Sequence, residues 1–280
     1  MKILKDKVAI VTGAGGGIGK FEAIELAKAG AKIVVNDVGC LRNGTGSDTR
    51  MADQVVEEIR KLGGEAVASY DSVATANGAT AIIKKAIDSF GRLDILVNNA
   101  GILRDRTILK MSEDEWDSVI NVHLKGTFLL TQKAAAIMKD QGSGGRIINT
   151  TSVSGLIGNF GQANYAAAKA GIYGLTMVAS IELKKYGITV NAIAPIALTR
   201  MTQDLARYGD ADPDEIGPQH IAPVVVYLCS DMASDITGKV IGIKGRKIYS
   251  YRMLVTEGVE KKEGIWSIDE IHKVIRDIVS

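Results

Sequence analysis

The sequence predicts an α/β fold in which a doubly wound, parallel, seven-stranded sheet is covered by helices on both faces. Short runs of β-branched and aliphatic residues alternate along the chain with longer segments that have helical periodicity. The strand runs are apolar throughout, which is typical of parallel strands buried on both faces. Their alternation with helices favours right-handed crossovers, and repeated crossovers of this kind produce a parallel sheet.

Seven runs have the length and composition of buried strands: Val8 to Thr12, Lys32 to Asn36, Ala66 to Ser69, Leu93 to Asn98, Arg146 to Thr150, Thr189 to Ile193 and Val240 to Ile243. Five intervening segments are long and periodic enough for helices: Ile18 to Ala29, Arg50 to Leu62, Ala76 to Phe90, Glu113 to Met138 and Asn164 to Tyr186. Ser-x-x-Glu motifs at Ser112 and Ser267 predict two helix starts, because each places a hydroxyl and a carboxylate where a capping box needs them.

One domain holds most of the chain in this prediction, because a doubly wound unit can accommodate 280 residues around one core. We place this domain at residues 1–245. A helical C-terminal extension is expected at residues 246–280, packed on the same domain or on a neighbouring subunit. Residues 200–219, a polar stretch that contains Pro213 and Pro218, form the candidate substrate lid.

The charge balance favours a small-molecule partner over nucleic acid or a membrane. The 34 basic and 32 acidic side chains give a formal charge of +2 and are mixed along the chain, so they leave no strong electrostatic footprint. Cys40 and Cys229 lie far apart without metal-ligand spacing, and the histidines are scattered. We therefore expect reduced thiols rather than a disulfide, and no metal site.

Signals for sorting are not apparent in the sequence. The first residues lack an apolar segment before a cleavage site, and no stretch reaches the roughly 18 apolar residues that span a bilayer. The last residues are not the peroxisomal signal Ser-Lys-Leu. We therefore expect a soluble, cytoplasmic protein.

A glycine-rich turn follows the first predicted strand and opens the first predicted helix. Gly13, Gly17 and Gly19, with Ile18 between the last two, form a G-x-x-x-G-x-G array. Missing side chains let a pyrophosphate approach the backbone, and the helix N-terminus supplies N–H donors and a partial positive charge. This position at the start of an alternating chain predicts a Rossmann-type dinucleotide site.

Side chains at the ends of later strands complete the predicted cofactor site. Asp37 follows the second strand, where its carboxylate can accept hydrogen bonds from the adenosine ribose and repel a 2′-phosphate. No arginine or lysine follows Asp37 directly, so the sequence favours NAD over NADP. Ligands of open α/β sheets bind at the carboxyl ends of strands, which adds Asp71, Ser72, Val73, Asn99 and Gly101 to the site. Asp71 alone can equally be a helix N-cap.

A tyrosine and a lysine four residues apart form the predicted catalytic centre. On a helix, Tyr165 and Lys169 project from the same face one turn apart. A free phenol has a pKa of about 10, and a nearby ammonium together with a cationic nicotinamide lowers it, so Tyr165 can take a proton from a hydroxyl group. Ser152, just beyond a predicted strand, can hydrogen-bond the substrate oxygen, and Ser154 is the alternative for this role.

These motifs together resemble the short-chain dehydrogenase/reductase family over nearly the whole chain. The resemblance rests on the glycine array, Asn-Asn-Ala-Gly at residues 98–101, the serine and Tyr-x-x-x-Lys. It implies an NAD-dependent oxidoreductase in which Tyr165 takes a proton while hydride leaves the carbinol carbon, Lys169 binds the nicotinamide ribose and Ser152 orients the substrate oxygen. It also implies Thr199 as a cofactor contact, and a homodimer or homotetramer formed through the two longest helices.

One position departs from the usual pattern of that family. Many members have a catalytic asparagine directly before Leu-x-Gly, and this chain has His123 there. His123 can hold the water that contacts Lys169, or it can be a structural histidine inside a helix, and the sequence leaves both open. Asn121, two residues earlier, can replace the missing amide only where the helix is locally irregular.

Further segments narrow the resemblance to the (3R)-hydroxyacyl-CoA dehydrogenase domains of peroxisomal type 2 multifunctional β-oxidation enzymes. They are residues 35–39 with the glycine-rich loop that follows, residues 102–106, 158–165 and 200–202. Such domains also have histidine before Leu-x-Gly. The resemblance implies oxidation of a (3R)-3-hydroxyacyl-CoA to a 3-oxoacyl-CoA, with Arg104 and Arg106 either contacting the anionic thioester or remaining solvated surface charges.

Three other functions stay open at this point. The same fold hosts dehydrogenases of steroids, sugars and other secondary alcohols, and 3-oxoacyl-carrier-protein reductases, although Asp37 disfavours the latter. An NAD-binding structural subunit with little activity is the third. Retention of Ser152, Tyr165 and Lys169 together disfavours it.

Overall fold

The structure is a computed structural model that describes residues 2–198 and 212–279. The described residues form eight strands: Val8–Thr12 (β1), Lys32–Asn36 (β2), Ala66–Ser69 (β3), Ile95–Asn98 (β4), Gly145–Thr150 (β5), Ile188–Ile196 (β6), Val240–Lys244 (β7) and Lys247–Tyr251 (β8). They make one sheet in the order β3-β2-β1-β4-β5-β6-β7-β8. Every neighbouring pair from β3 to β7 is parallel. The predicted doubly wound α/β fold is therefore confirmed.

Ten α-helices lie in the same described ranges: Gly17–Lys28 (α1), Arg50–Lys61 (α2), Ala76–Phe90 (α3), Glu113–Ile120 (α4), Gly126–Gln141 (α5), Val153–Leu156 (α6), Ala163–Glu182 (α7), Pro213–Ile216 (α8), Ala222–Cys229 (α9) and Ile268–Val279 (α10). Both predicted capping boxes are present. Glu115 N–H donates to Ser112 Oγ over 3.2 Å and Glu270 N–H donates to Ser267 Oγ over 3.3 Å, so the sequence located these two helix starts correctly.

Strand residues alternate between two apolar layers, one on each face of the sheet. On β1, Ala9 and Val11 face the layer that contains α1, α2 and α9, while Val8 and Ile10 face the layer that contains α3, α5 and α7. All four side chains are at most 1% exposed. Burial on both faces explains why the strands are apolar at consecutive positions. Because both faces are covered by helices, ligands of such sheets bind at the carboxyl ends of the strands.

The sheet has one strand more than the seven that the sequence predicts. β8 follows β7 after the two-residue turn Gly245-Arg246 and lies at the edge of the sheet. Tyr249 on β8 covers Gly242 on β7 so closely that a Cβ on Gly242 would collide with the ring. The side chains of β8 are exposed or half-buried. A polar edge strand lacks the apolar run by which the other strands were recognised.

The predicted helix from Glu113 to Met138 is not continuous. A π-helical segment, residues 121–125, separates α4 from α5. His123 lies in this segment, where its Nε2 atom is 2.9 Å from Ile102 N and 2.8 Å from Ile102 O. The wider turn accommodates a ring that bonds to the loop after β4, and such insertions are common at functional sites.

Contacts divide the chain into two compact units, Met1–Ser250 and Tyr251–Ser280. The second unit contains α10, whose Glu270 carboxylate accepts from Ser267 N–H at 2.8 Å and pairs with Lys261 Nζ at 2.7 Å. In the part of the chain that the structure describes, no helix is long and apolar enough to cross a membrane.

Candidate active site

The turn between β1 and α1 exposes backbone at the carboxyl edge of the sheet. Gly13 and Gly17 have φ angles of +64° and +54°, a left-handed conformation that favours glycine. A Cβ on Gly13 would lie 2.8 Å from Ala100 Cα, and one on Gly19 would lie 2.5 Å from Gly13 O. At Gly17, the first residue of α1, a Cβ would have nothing within 4 Å. The turn is packed on its inner side and open where an anion can approach the helix N-terminus.

Asn99 joins this turn to the turn that follows β4. Its Nδ2 donates to Thr12 O over 2.9 Å and to Gly13 O over 3.2 Å. The Thr12 hydroxyl oxygen accepts the N–H groups of Asn99 and Ala100, both over 3.1 Å. The carboxyl ends of β1 and β4 are thereby held at a fixed spacing, which is the position that open α/β sheets use for ligands.

A cleft of about 690 Å³ opens at this edge, a size typical of small-molecule sites. The structure brings nine predicted cofactor residues to its walls: Gly13, Gly17, Ile18, Asp37, Asp71, Ser72, Val73, Asn99 and Gly101. Gly19 lies beneath the turn. Thr199 and residues 200–211 of the candidate lid lie outside the described residues.

Asp37 presents a fixed carboxylate to the cleft. Its Oδ2 accepts Gly15 N–H over 2.8 Å and its Oδ1 accepts Gly39 N–H over 2.7 Å. A Cβ on Gly15 would lie 2.8 Å from Asp37 Oδ2, so glycine is needed for this approach. Each carboxylate oxygen keeps further lone pairs. The carboxylate can therefore accept hydrogen bonds from ribose hydroxyls, and its charge repels a phosphate at the same place.

Sequence reasoning missed one wall of this cleft. Residues 39–47 fold back over it, so that Arg42 and Asn43 line the cleft together with Arg104. Leu103 N–H donates to Arg42 O and Arg104 Nε donates to Asn43 O, both over 2.9 Å. No basic residue directly follows Asp37 in the sequence, but the loop brings Arg42 into the same cleft. The glycine content of the loop was the available signal.

Tyr165 and Lys169 lie one turn apart on α7. Lys169 Nζ is 5.5 Å from the centroid of the Tyr165 ring and donates to Thr150 O over 2.6 Å. The lysine side chain is 3% exposed, and this burial lowers the pKa of Lys169 to about 7. The hydrogen bond to the end of β5 directs a titratable ammonium group toward the phenol.

The turn after β5 distinguishes the two candidate serines. Ser154 is 3% exposed, and its hydroxyl donates to Gln162 Oε1 over 2.9 Å. Ser152 is half-buried and its Oγ accepts Ser154 N–H over 3.2 Å. A Cβ on Gly155 would lie 2.5 Å from Ala170 N, so this turn is pressed against α7. Ser154 uses its hydroxyl hydrogen within the protein, whereas Ser152 Oγ accepts and its hydroxyl can donate to a substrate oxygen.

His123 packs against Tyr165. Its ring is 2% exposed and lies edge-on to Tyr165, with 5.3 Å between ring centroids. Burial, reinforced by the positive charge of Lys169, lowers the pKa of His123 to about 3. The ring is neutral at physiological pH and bonds to the backbone of Ile102. A Cβ on Gly101 would collide with the ring, so the loop after β4 is fitted around it.

Most of the chain matches a known family model. That model, described as short chain dehydrogenase, matches residues 7–208, a range that includes the glycine turn, the residues that line the cleft and α7. The chain belongs to the short-chain dehydrogenase family. It is an oxidoreductase that acts on CH–OH groups, and the resemblance seen in the sequence motifs is confirmed.

Individual relatives agree with the family assignment. The chain is 52% identical over 229 residues to peroxisomal multifunctional enzyme type 2 of Drosophila melanogaster, in a match that covers 82% of this chain and 37% of that longer protein. It is 42% identical over 258 residues to hydroxyacyl-CoA dehydrogenase ChsB1 of Mycobacterium tuberculosis, covering 88% of this chain and 79% of the relative. A solved short chain dehydrogenase from Mycobacterium avium superimposes with a TM-score of 0.88 at 44% identity, covering 99% and 95% of the two chains.

Proposed function

We propose that this chain is an NAD-dependent (3R)-3-hydroxyacyl-CoA dehydrogenase, which oxidises the 3-hydroxyl group of the thioester to a ketone. The placement of Tyr165 and Lys169 on one face of α7, with the lysine bonded to Thr150 at the end of β5, supports the chemistry. Similarity to type 2 multifunctional enzymes and to a protein named hydroxyacyl-CoA dehydrogenase supports the thioester as substrate.

Tyr165 is the base in this proposal. The positive charge of Lys169 favours the phenolate, which takes the proton of the 3-hydroxyl group as the C–H bond breaks with its electron pair. Ser152 donates a hydrogen bond to the same substrate oxygen. The bound nicotinamide supplies the acceptor for the hydride. His123 acts as a positioning group, because its ring is neutral and bonds to the backbone.

We propose NAD as the cofactor because of Asp37. Its two carboxylate oxygens are held by the Gly15 and Gly39 amides, so the charge cannot turn away from a bound ribose. A 2′-phosphate placed there would meet a fixed like charge, which costs several kcal/mol in comparable complexes. Arg42 in the same cleft offers partial compensation and makes the preference testable.

We also propose a homodimer or homotetramer built on α5 and α7. Phe128 on α5 is 44% exposed, and Val178 and Ile181 on α7 are 53% and 76% exposed. Large apolar side chains exposed on two long helices favour an interface. The division into a domain of residues 1–245 with an extension at 246–280, and the cytoplasmic location, stay predictions.

A substrate panel tests the function. Purified protein and NAD are combined with (3R)- and (3S)-3-hydroxyacyl-CoA, a hydroxysteroid and simple secondary alcohols, and NADH formation is recorded. Turnover confined to the (3R)-thioester is expected. Turnover of a different alcohol would overturn the thioester assignment while leaving the catalytic residues in place. Silence across the panel alongside measurable NAD binding would favour a structural subunit.

A further inference from the structure

A chain of hydrogen bonds connects the loop after β4 with Ser152. Gln162 Nε2 donates to Asp105 Oδ2 over 2.7 Å, and the Ser154 hydroxyl donates to Gln162 Oε1 over 2.9 Å. Ser154 N–H then donates to Ser152 Oγ over 3.2 Å. Gln162 and Ser154 are 5% and 3% exposed, so the bond between their side chains is shielded from water and its loss is costly.

Asp105 sets the direction of this chain of bonds. A carboxylate can only accept, whereas an amide and a hydroxyl can each donate or accept. The nitrogen of the Gln162 amide must therefore face Asp105, which turns the amide oxygen toward Ser154 and toward Asn159 Nδ2, 2.8 Å away. The Ser154 hydroxyl hydrogen is consumed in this arrangement, so Ser154 cannot donate to a substrate.

The same arrangement prepares Ser152 for its role. Its Oγ accepts the Ser154 N–H as the N-cap of α6, which leaves its own hydroxyl hydrogen as the group that can donate to a substrate oxygen. One backbone bond and one side-chain bond join the segments on either side. Arg106 N–H donates to Gly161 O over 2.8 Å, and Asn164 Nδ2 donates to Arg104 O over 2.9 Å.

We propose that Asp105 is a positioning residue of the dehydrogenase reaction, which acts through Gln162 and Ser154 to hold Ser152 as a donor beside Tyr165. This inference rests on the proposed function. Asp105 acts on the alcohol and not on the cofactor, because the hydrogen-bonded chain ends at the serine and leaves the glycine turn and Asp37 untouched. We therefore expect replacement of Asp105 to lower kcat for oxidation of the alcohol.

The variant Asp105→Asn tests this role, because an amide of the same shape can also donate and no longer fixes the direction of Gln162. We expect kcat to fall about tenfold, the cost of disturbing one hydrogen bond to a charged group, with KM for NAD unchanged. Asp105→Glu, which keeps an acceptor, is expected to recover part of the loss. Asp114→Asn is the matched control, since Asp114 pairs with Arg104 in the same loop and does not bond to Gln162.

A double variant separates positioning from general destabilisation. Asp105→Asn is expected to cause no further loss of kcat in a Ser154→Ala background, because both changes interrupt one chain of bonds. Additive losses would overturn the proposal, as would an unchanged kcat in Asp105→Asn or an equal loss in Asp114→Asn.

The assay uses whichever alcohol the wild-type protein oxidises, so failure on the thioester contradicts the proposed function alone. If the protein oxidises none of the alcohols, hydrogen exchange can still test the role of Asp105. Backbone amides of residues 154–162 are expected to exchange faster in Asp105→Asn than in Asp114→Asn, and equal exchange would contradict the proposal without any turnover.

Discussion

Burial lowers the pKa of the two basic residues that lie next to Tyr165. It lowers the pKa of Lys169 to about 7 and, together with the Lys169 charge, that of His123 to about 3. Lys169 therefore changes charge near neutral pH, while His123 stays neutral there. The sequence left open whether the histidine holds a water or is structural. Its Nε2 contacts the backbone of Ile102, whereas its buried Nδ1 has no hydrogen-bond partner among the described residues, so both interpretations stay predictions.

Replacement of Tyr165 by phenylalanine removes the base and keeps the ring. We expect Tyr165→Phe to lose about 10²–10⁴-fold in kcat, the usual contribution of general acid–base catalysis. NAD affinity, measured by calorimetry, is expected to stay close to wild type because the cleft is intact. Near-normal turnover would rule out Tyr165 as the base.

The proposed preference for NAD can be tested at Asp37 and Arg42, which line the same cleft. We expect Asp37→Ala to raise kcat/KM with NADP by at least about tenfold, since removal of a like charge relieves several kcal/mol of repulsion. The gain should shrink in Asp37→Ala/Arg42→Ala, because the arginine is then missing as a partner for the phosphate. Steady-state kinetics with both cofactors measure this. An unchanged preference in Asp37→Ala would contradict the argument for NAD.

Among the elements, α1 carries a buried carboxyl group that the proposed mechanism does not use. Glu22 is 0% exposed, and neither carboxyl oxygen has a hydrogen-bond partner among the residues that the structure describes. Burial raises the pKa of Glu22 to about 8. Cys229 on α9 is a titratable neighbour, and burial together with the Glu22 charge raises the pKa of its thiol. Near neutral pH the folded chain therefore retains a proton that the unfolded chain loses.

The variant Glu22→Gln is expected to weaken the dependence of stability on pH. The contribution of Glu22 to stability is intact below its ordinary pKa of 4.5 and is lost as pH rises through about 8. The loss is on the order of 5 kcal/mol. Thermal unfolding across this pH range should show the variant gaining on the wild-type protein as pH rises.

Glu25→Gln is the control for this measurement. Glu25 lies on the same helix and pairs with Lys28 near the surface, so its replacement should leave the pH dependence of the wild-type protein unchanged. If the unfolding curves of Glu22→Gln and wild type stayed parallel at all pH values, the buried carboxyl would not be the titrating group.

At the scale of the whole molecule, the exposed face of α7 allows a test of the proposed oligomer. We expect Ile181→Lys to shift the protein to a smaller species in analytical ultracentrifugation, because a charge buried in an apolar interface is costly. Met232→Lys is the control, since Met232 is similarly exposed at 57% but lies outside α5 and α7. An unchanged sedimentation coefficient in Ile181→Lys would contradict the proposed interface on α5 and α7.

Local pattern was sufficient for elements whose cause is local. The bounds of β1, β2 and β3 match the predicted ones residue for residue, because an apolar run bounded by polar residues is itself the property that burial selects. It was insufficient for β8, which exists because β7 offers an edge, and for the π-helical segment, which contains the His123 ring bonded to Ile102 across the fold.

The sequence by itself determined the alternating fold, the glycine turn, the acidic residue after β2 and the Tyr165–Lys169 pair, because each depends on spacings of a few residues or on strand ends that the topology aligns. Only the tertiary structure decided that Arg42 shares the cleft with Asp37, that Ser154 is engaged while Ser152 can donate, and that Asp105 bonds to Gln162. The last two residues are 57 positions apart. Contacts at such separations depend on the packing of whole elements, and no local pattern contains them.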